Sequence, residues 1–116
     1  MIFTLPLPET TNHAYATSRG RWYKTQKAAN WEKEAGLIIM QSWRGKPIDR
    51  EVVVIIKFYL KRDRDIDGGI KPVLDLLQRL RVYENDRQVK NLWVYKLEDK
   101  EWPRCEVSLE LEQGNL

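Results

Sequence analysis

One cysteine, no long apolar run and no internal repeat set the first limits on this chain. Cys105 has no second cysteine with which to form an internal disulfide, which fits a reducing compartment and a small buried strand residue. The longest strongly apolar stretch, Val52 to Ile56, falls far short of the roughly 20 residues that span a bilayer, and no signal-peptide pattern follows Met1. A cytoplasmic protein with no membrane attachment is therefore expected. Low-complexity tracts and Ser/Gly linkers are missing too, so residues 1–116 read as one domain with a small core.

Acidic residues are absent from one whole stretch. None lies between Glu9 and Glu32, while Arg19, Arg21, Lys24 and Lys27 stand there among Tyr15, Trp22 and Tyr23. Cations neutralise phosphate and aromatic rings stack on exposed bases, so this mixture suits a polyanion. The plainer alternative is a solvated basic loop entering a helix. Net charge is only +3, yet residues 1–64 hold 12 Lys/Arg against 6 Asp/Glu, and residues 65–116 hold 8 against 11. With 42% hydrophobic and 32% charged residues, the composition is that of a folded domain.

Periodicity supplies the elements. Ile2 to Leu5 predicts a short strand closed by Pro6 and Pro8. Ala28, Trp31, Ala35, Ile38, Ile39 and Trp43 recur at helical spacing from Thr25 to about Trp43, and Gly45 and Pro47 stop the helix. Glu51 to Lys61 is β-branched and apolar on both alternating faces, which predicts a central strand covered on both sides. A second helix is expected from about Gly69 to Leu80, with Pro72 tolerated in its first turn, and strands at Val89 to Leu97 and Cys105 to Leu111. The order β-α-β-α-β-β predicts an α+β fold, a mixed sheet with two helices packed on it.

Chemistry concentrates where the central strand leads into the second helix. Asp65 and Asp67, two apart in extended chain, point the same way, and their repulsion is costly unless a cation sits between them. A hard divalent ion takes such oxygen ligands and can activate water. Lys71 follows about one helical turn later, near a helix N-terminus that already favours anions, placed to steady the charge of a pentacovalent phosphate. Asp86, in the polar turn Tyr83-Glu84-Asn85-Asp86, is a third carboxylate within reach if the chain folds back, and Asp75 a fourth. Two alternatives compete. The aspartates can be helix caps and turn residues. Asp63, Asp65, Asp67 and Gly68 also match the opening of an EF-hand loop, but its twelfth position is Leu74 instead of a glutamate and a strand precedes it.

These residues resemble the RusA family of Holliday junction resolvases. The family pattern is Asp-x-Asp-Asn, a lysine four residues after the second aspartate, a helix, and a Val-Tyr-x-Asp-Asp-like turn leading to a strand. Here it reads Asp65-Ile66-Asp67-Gly68, Lys71, a helix with Asp75, and Val82-Tyr83-Glu84-Asn85-Asp86. Leu5-Pro6-Leu7-Pro8 leading to Asn12 and Tyr15 is similar to the family's Pro-rich opening. One position departs: Gly68 stands where the family has asparagine, so a side-chain amide is missing.

The resemblance implies a homodimeric endonuclease that makes paired nicks in four-way junction DNA during recombination or repair. It implies one or two Mg²⁺, with Mn²⁺ able to substitute, and no small-molecule cofactor. Asp65, Asp67 and Asp86 would be the metal-binding carboxylates and Lys71 the catalytic lysine. Asn12, Tyr15, Arg19, Arg21, Lys24 and Lys27 would contact the DNA, and His13, the lone histidine, fits a DNA contact or surface position better than a general base. Five tryptophans are hard to bury in one modest core, so Trp31, Trp43, Trp93 or Trp102, and the strand after Asp86, are expected at a subunit contact. A non-catalytic nucleic-acid-binding module, or a metal-dependent nuclease acting on flaps or duplex, are the rival readings.

Overall fold

The structure, a computed structural model, describes residues 1–10 and 15–112. Strands β1 (Ile2–Leu5), β2 (Tyr15–Ser18) and β3 (Arg21–Lys24) precede helix α1 (Gln26–Ser42). Strand β4 (Val52–Leu60), helix α2 (Ile70–Arg79) and strands β5 (Val89–Glu98) and β6 (Arg104–Leu111) follow, with 3₁₀ turns at Ile66–Gly69 and Asp86–Gln88. Four strands form a mixed sheet in the order β1-β6-β4-β5. β4 and β5 run parallel, and their connection passes through α2, as a parallel pair requires. The remaining pairs are antiparallel. This is the expected small α+β domain, a mixed sheet with two helices packed on it, to which the hairpin β2–β3 is added.

The core lies on one face of the sheet. Val52, Val54, Ile56, Phe58 and Leu60 of β4 alternate inward, and they share one apolar cluster with Trp31, Ala35 and Ile39 of α1 and Val73, Leu76 and Leu77 of α2. Phe3 and Leu5 of β1 and Cys105, Val107 and Leu109 of β6 complete it. Burial pushes the Cys105 thiol up to about 12, so it stays a protonated packing residue. The expectation that β4 is central holds, but its second face is only half-buried at Val53, Ile55, Lys57 and Tyr59. Both helices pack on the other side, so these residues lie on an open sheet face. Trp31 is likewise not a subunit contact: it is 6% exposed, and its Nε1 donates to the Pro6 carbonyl at 2.7 Å.

Two features of local chemistry shape the ends of elements. Thr25 caps α1, its Oγ1 accepting from the Ala28 amide at 3.3 Å. α2 ends in a Schellman arrangement, the Arg81 amide donating to the Gln78 carbonyl and the Val82 amide to the Leu77 carbonyl, both at 3.0 Å. Arg81 occupies the left-handed position, φ 62°, where glycine is the usual choice. The basic aromatic segment, for which the plainer alternative is a loop, is a hairpin: β2 and β3 pair only with each other, joined through Arg19 and Gly20 at φ 53° and 78°. Positive φ at both positions gives the twist that two-residue hairpin turns favour. Among the described residues no helix is long and apolar enough to cross a membrane.

Candidate active site

The turn carrying Asp65 and Asp67 is held from both sides by residues distant in sequence. Lys96 on β5 pairs with Asp63 Oδ1 at 2.7 Å and donates to the Arg64 carbonyl at 3.1 Å. Arg64 in turn donates from Nη1 to the Pro8 carbonyl at 2.8 Å, drawing the N-terminal segment over the turn. Burial lowers the pKa of Arg64, against opposing contributions from Cys105 and Glu9. Its Nη2 is buried without a hydrogen-bond partner among the described residues. Close packing finishes the arrangement. A Cβ on Gly69 would lie 2.8 Å from Phe58 Cε1 and 3.0 Å from Pro8 Cγ, so only glycine fits there without movement. The EF-hand alternative fails here, because Asp63 is committed to Lys96 and the segment before the turn is β4.

On this clamped turn the two carboxylates stand outward. Asp65 has extended geometry, φ −61° and ψ 138°, and its side chain makes no capping hydrogen bond; its backbone carbonyl accepts from the Gly68 amide at 3.2 Å. Asp67 is exposed in the first turn that follows. The N-cap of α2 is Gly69, which has no side chain to cap with. Asp65 is thus not spending its carboxylate on helix capping. An open cavity of about 240 Å³, lined by Lys61, Asp63, Lys96 and Lys100 among others, lies at the C-terminal ends of the parallel strands β4 and β5. Crevices at this position are the usual ligand sites of parallel sheets.

Along α2, Lys71 pairs with Asp75 Oδ2 at 3.3 Å, an exposed i,i+4 bridge. Asp86 is fixed differently. The Tyr83 hydroxyl donates to its Oδ1 at 2.6 Å, and its own amide donates to Gln78 Oε1 at 2.7 Å. Burial, then the hydrogen bond and charge of Asp86 and the charge of Asp75, push the pKa of Tyr83 upward and keep it a proton donor. The cap of the 3₁₀ turn is Asn85, in a capping box with Gln88, so Asp86 is not a capping residue either. The extended geometry expected of both aspartates holds for Asp65 alone, because Asp67 lies within the 3₁₀ turn; the structure leaves both exposed on that turn, pairs Lys71 with Asp75, and sets Asp86 against Tyr83. Among the described residues no group of three His, Cys, Asp or Glu side chains is arranged to hold a metal ion. The donor set itself consists of carboxylate oxygens, which fits a hard divalent cation in kind.

The expected nucleic-acid contacts separate in the same way. Asn12 lies outside the described residues, as does the side chain of Tyr15, whose backbone opens β2. Arg19 and Arg21 are exposed around the hairpin turn, and Lys27 is exposed in the first turn of α1. Lys24 is already paired, with Glu32, which also accepts from Arg79 Nη1 at 2.8 Å. Burial alone would raise the pKa of Glu32, but the hydrogen bonds and charges of Lys24 and Arg79 outweigh it and hold the carboxyl below its ordinary range. Sequence reasoning missed Arg64, Lys96, Tyr83 and Gln78, which position the site. Only Tyr83 had a local signal, three residues before Asp86 in the turn.

Comparison with known proteins identifies the family. Residues 6–110 match the family model described as Endodeoxyribonuclease RusA. The chain is 30% identical over 98 residues to the crossover junction endodeoxyribonuclease RusA of Aquifex aeolicus (strain VF5), covering 83% of this chain and 77% of the relative. It is 26% identical over 114 residues to the protein of the same name from Escherichia coli (strain K12), covering 97% and 94%. The chain belongs to the RusA family of endodeoxyribonucleases, hydrolases that cleave the phosphodiester bonds of DNA.

Proposed function

We propose that this protein is a Mg²⁺-dependent Holliday junction resolvase that makes paired nicks in four-way DNA during recombination and repair, acting as a homodimer. The observation that carries the reading is the pair Asp65 and Asp67, exposed and uncapped on a turn clamped by Arg64 and Lys96. Rigid placement matters because small displacements of reacting groups lose much of the rate. Asp65, Asp67 and Asp86 would hold the cation, which supplies an activated water and charge neutralisation when bound. Lys71 exchanges Asp75 for a phosphate oxygen. Its exposed pair is worth about 1 kcal/mol or less, so the exchange is nearly free. Arg19, Arg21 and Lys27 hold the DNA backbone and fix its register, without reading sequence.

Two nicks need two turns of this kind, and the described chain has one. The open sheet face supports the second copy. It presents Ile55, Trp93, Tyr95 and Leu97, with Trp93 56% exposed, and Arg104 lies between the rings of Tyr59 and Trp102 at 3.7 and 4.0 Å. A closed two-fold dimer through this face buries its apolar surface and matches the symmetry of a four-way junction.

The test is a cleavage panel of junction, flap, fork and linear duplex with Mg²⁺, with Mn²⁺ and with chelator, run beside light scattering. The expected result is junction cutting that requires the cation, from a species of twice the monomer mass. Equal cutting of all substrates by a monomer would favour the general-nuclease reading. Tight junction binding with no cutting would favour a non-catalytic module.

A further inference from the structure

The tryptophans divide by environment. Trp31 is in the core, Trp43 half-buried, and Trp93 and Trp102 belong to the open sheet face and its margin. Trp22 fits none of these. It is 74% exposed, the highest value among the large apolar side chains described, and it stands on a hairpin whose two strands pair with no other strand. Its cross-strand partner is Thr17, itself exposed, so among the described residues nothing opposite covers the indole. A hairpin of two four-residue strands is marginal in water on its own, and an exposed indole next to its turn does nothing to stabilise it.

Charge identifies what covers the ring. Arg19 stands in the hairpin turn and Arg21 next to Trp22 on the opposite strand face, and residues 15–24 contain no acidic side chain. The hairpin is also tied to the candidate active site. Lys24, two residues after Trp22 on the same strand face, pairs with Glu32, which holds Arg79 at 2.8 Å. Arg79, Asp75 and Lys71 form one i,i+4 stripe on α2. The hairpin is therefore anchored at one end of that stripe, and Lys71 lies about 12 Å further along the helix axis.

We infer that Trp22 stacks on a base exposed at the branch point, so that the hairpin distinguishes branched DNA from continuous duplex. The inference rests on the junction-resolving reading. In continuous duplex every base face is covered by its neighbours, and uncovering one is unfavourable; a branch point presents base faces already released. The hairpin's arginines bind phosphate in either substrate. Only the ring has a partner that duplex lacks.

The test uses the full chain with junctions carrying 2-aminopurine at single positions next to the branch point, in Ca²⁺ to prevent cutting. Wild type is expected to change the probe's fluorescence at one or more of these positions and to leave the same probe in linear duplex unchanged. Trp22→Ala should abolish that change and weaken junction binding about tenfold, with less than a twofold effect on duplex binding. Trp22→Phe should keep most of the signal. Arg21→Ala should weaken both substrates together and reduce the salt slope by about one phosphate contact. A Trp22→Ala protein that keeps the probe signal, or that loses junction and duplex affinity equally, overturns the assignment. The two readings fail separately: a wild type without junction preference sinks the resolvase reading, whereas a preference that survives Trp22→Ala sinks only the role of Trp22.

Discussion

Thr10 stands where a side chain on Gly68 would begin: its Cγ2 is 3.0 Å and its Cβ 3.2 Å from that point. The glycine that departs from the family's asparagine is thus matched by a threonine from the N-terminal segment. Backbone conformation is not the obstacle, since Gly68 is not among the residues with positive φ. Gly68→Asn alone should lower stability by about 1–2 kcal/mol, because Thr10 must move. Adding Thr10→Gly should restore most of it, giving a favourable coupling in a double-mutant cycle followed by denaturant melts. Purely additive effects would show that the two positions do not compete for space.

Asp65→Asn, Asp67→Asn and Asp86→Asn should each abolish cutting and leave junction binding intact or stronger, because each removes a cation ligand and a repulsion toward phosphate together. Lys71→Ala should lower the cleavage rate more than affinity, as its partner is charge that develops in the transition state. Single-turnover cutting beside a binding titration reads both. Full activity in any of the three aspartate variants removes that residue from the site.

Glu32 makes the anchoring of the hairpin sensitive to acid. Its folded pKa lies below the ordinary glutamate value of 4.5, so its contribution is fully present above that value and lost as pH falls through the folded pKa. Stability curves of wild type and Glu32→Gln should run parallel from pH 7 to 5. Below about pH 4.5 they should converge, with wild type losing the advantage it held. A difference that persists unchanged at acid pH would mean the carboxylate's charge is not what matters.

Arg81→Gly should stabilise the protein by about 0.5–1 kcal/mol, raising its melting temperature by a few degrees. The left-handed conformation at φ 62° is strained for arginine and free for glycine. Because Arg81 is exposed, no packing is lost to obscure the measurement. A destabilised variant would show that the arginine side chain makes a compensating contact.

Much of this fold was legible because its signals are local. The α1 stripe from Ala28 to Ile39, the alternation along β4 and β6, and the spacing of Asp65, Asp67 and Lys71 all lie within short windows. The hairpin escaped because its turn is Arg19-Gly20 and not one of the asparagine or aspartate pairs that announce a positive-φ turn. The one-sided burial of β4 was not readable either, since a strand apolar on both faces looks the same whether a helix or another molecule covers the second. What positions the site was least visible of all. Arg64 meets Pro8 and Lys96 meets Asp63 across long stretches of chain, and no pattern in either segment names its partner.

The pairing of β1 with β6 has a consequence for the order of events in synthesis. β1 is an edge strand whose one strand neighbour, β6, comes last among the described elements, and the segment bearing Pro8 and Thr10 continues from β1. A nascent chain emerges from its N-terminus, so the turn with Asp65 and Asp67 leaves the ribosome before the strand that seats its cover exists. The packing over Gly68 and Gly69 closes only when the sheet receives its final strand. A partly made chain therefore carries Asp65 and Asp67 before the packing that fixes their turn is complete.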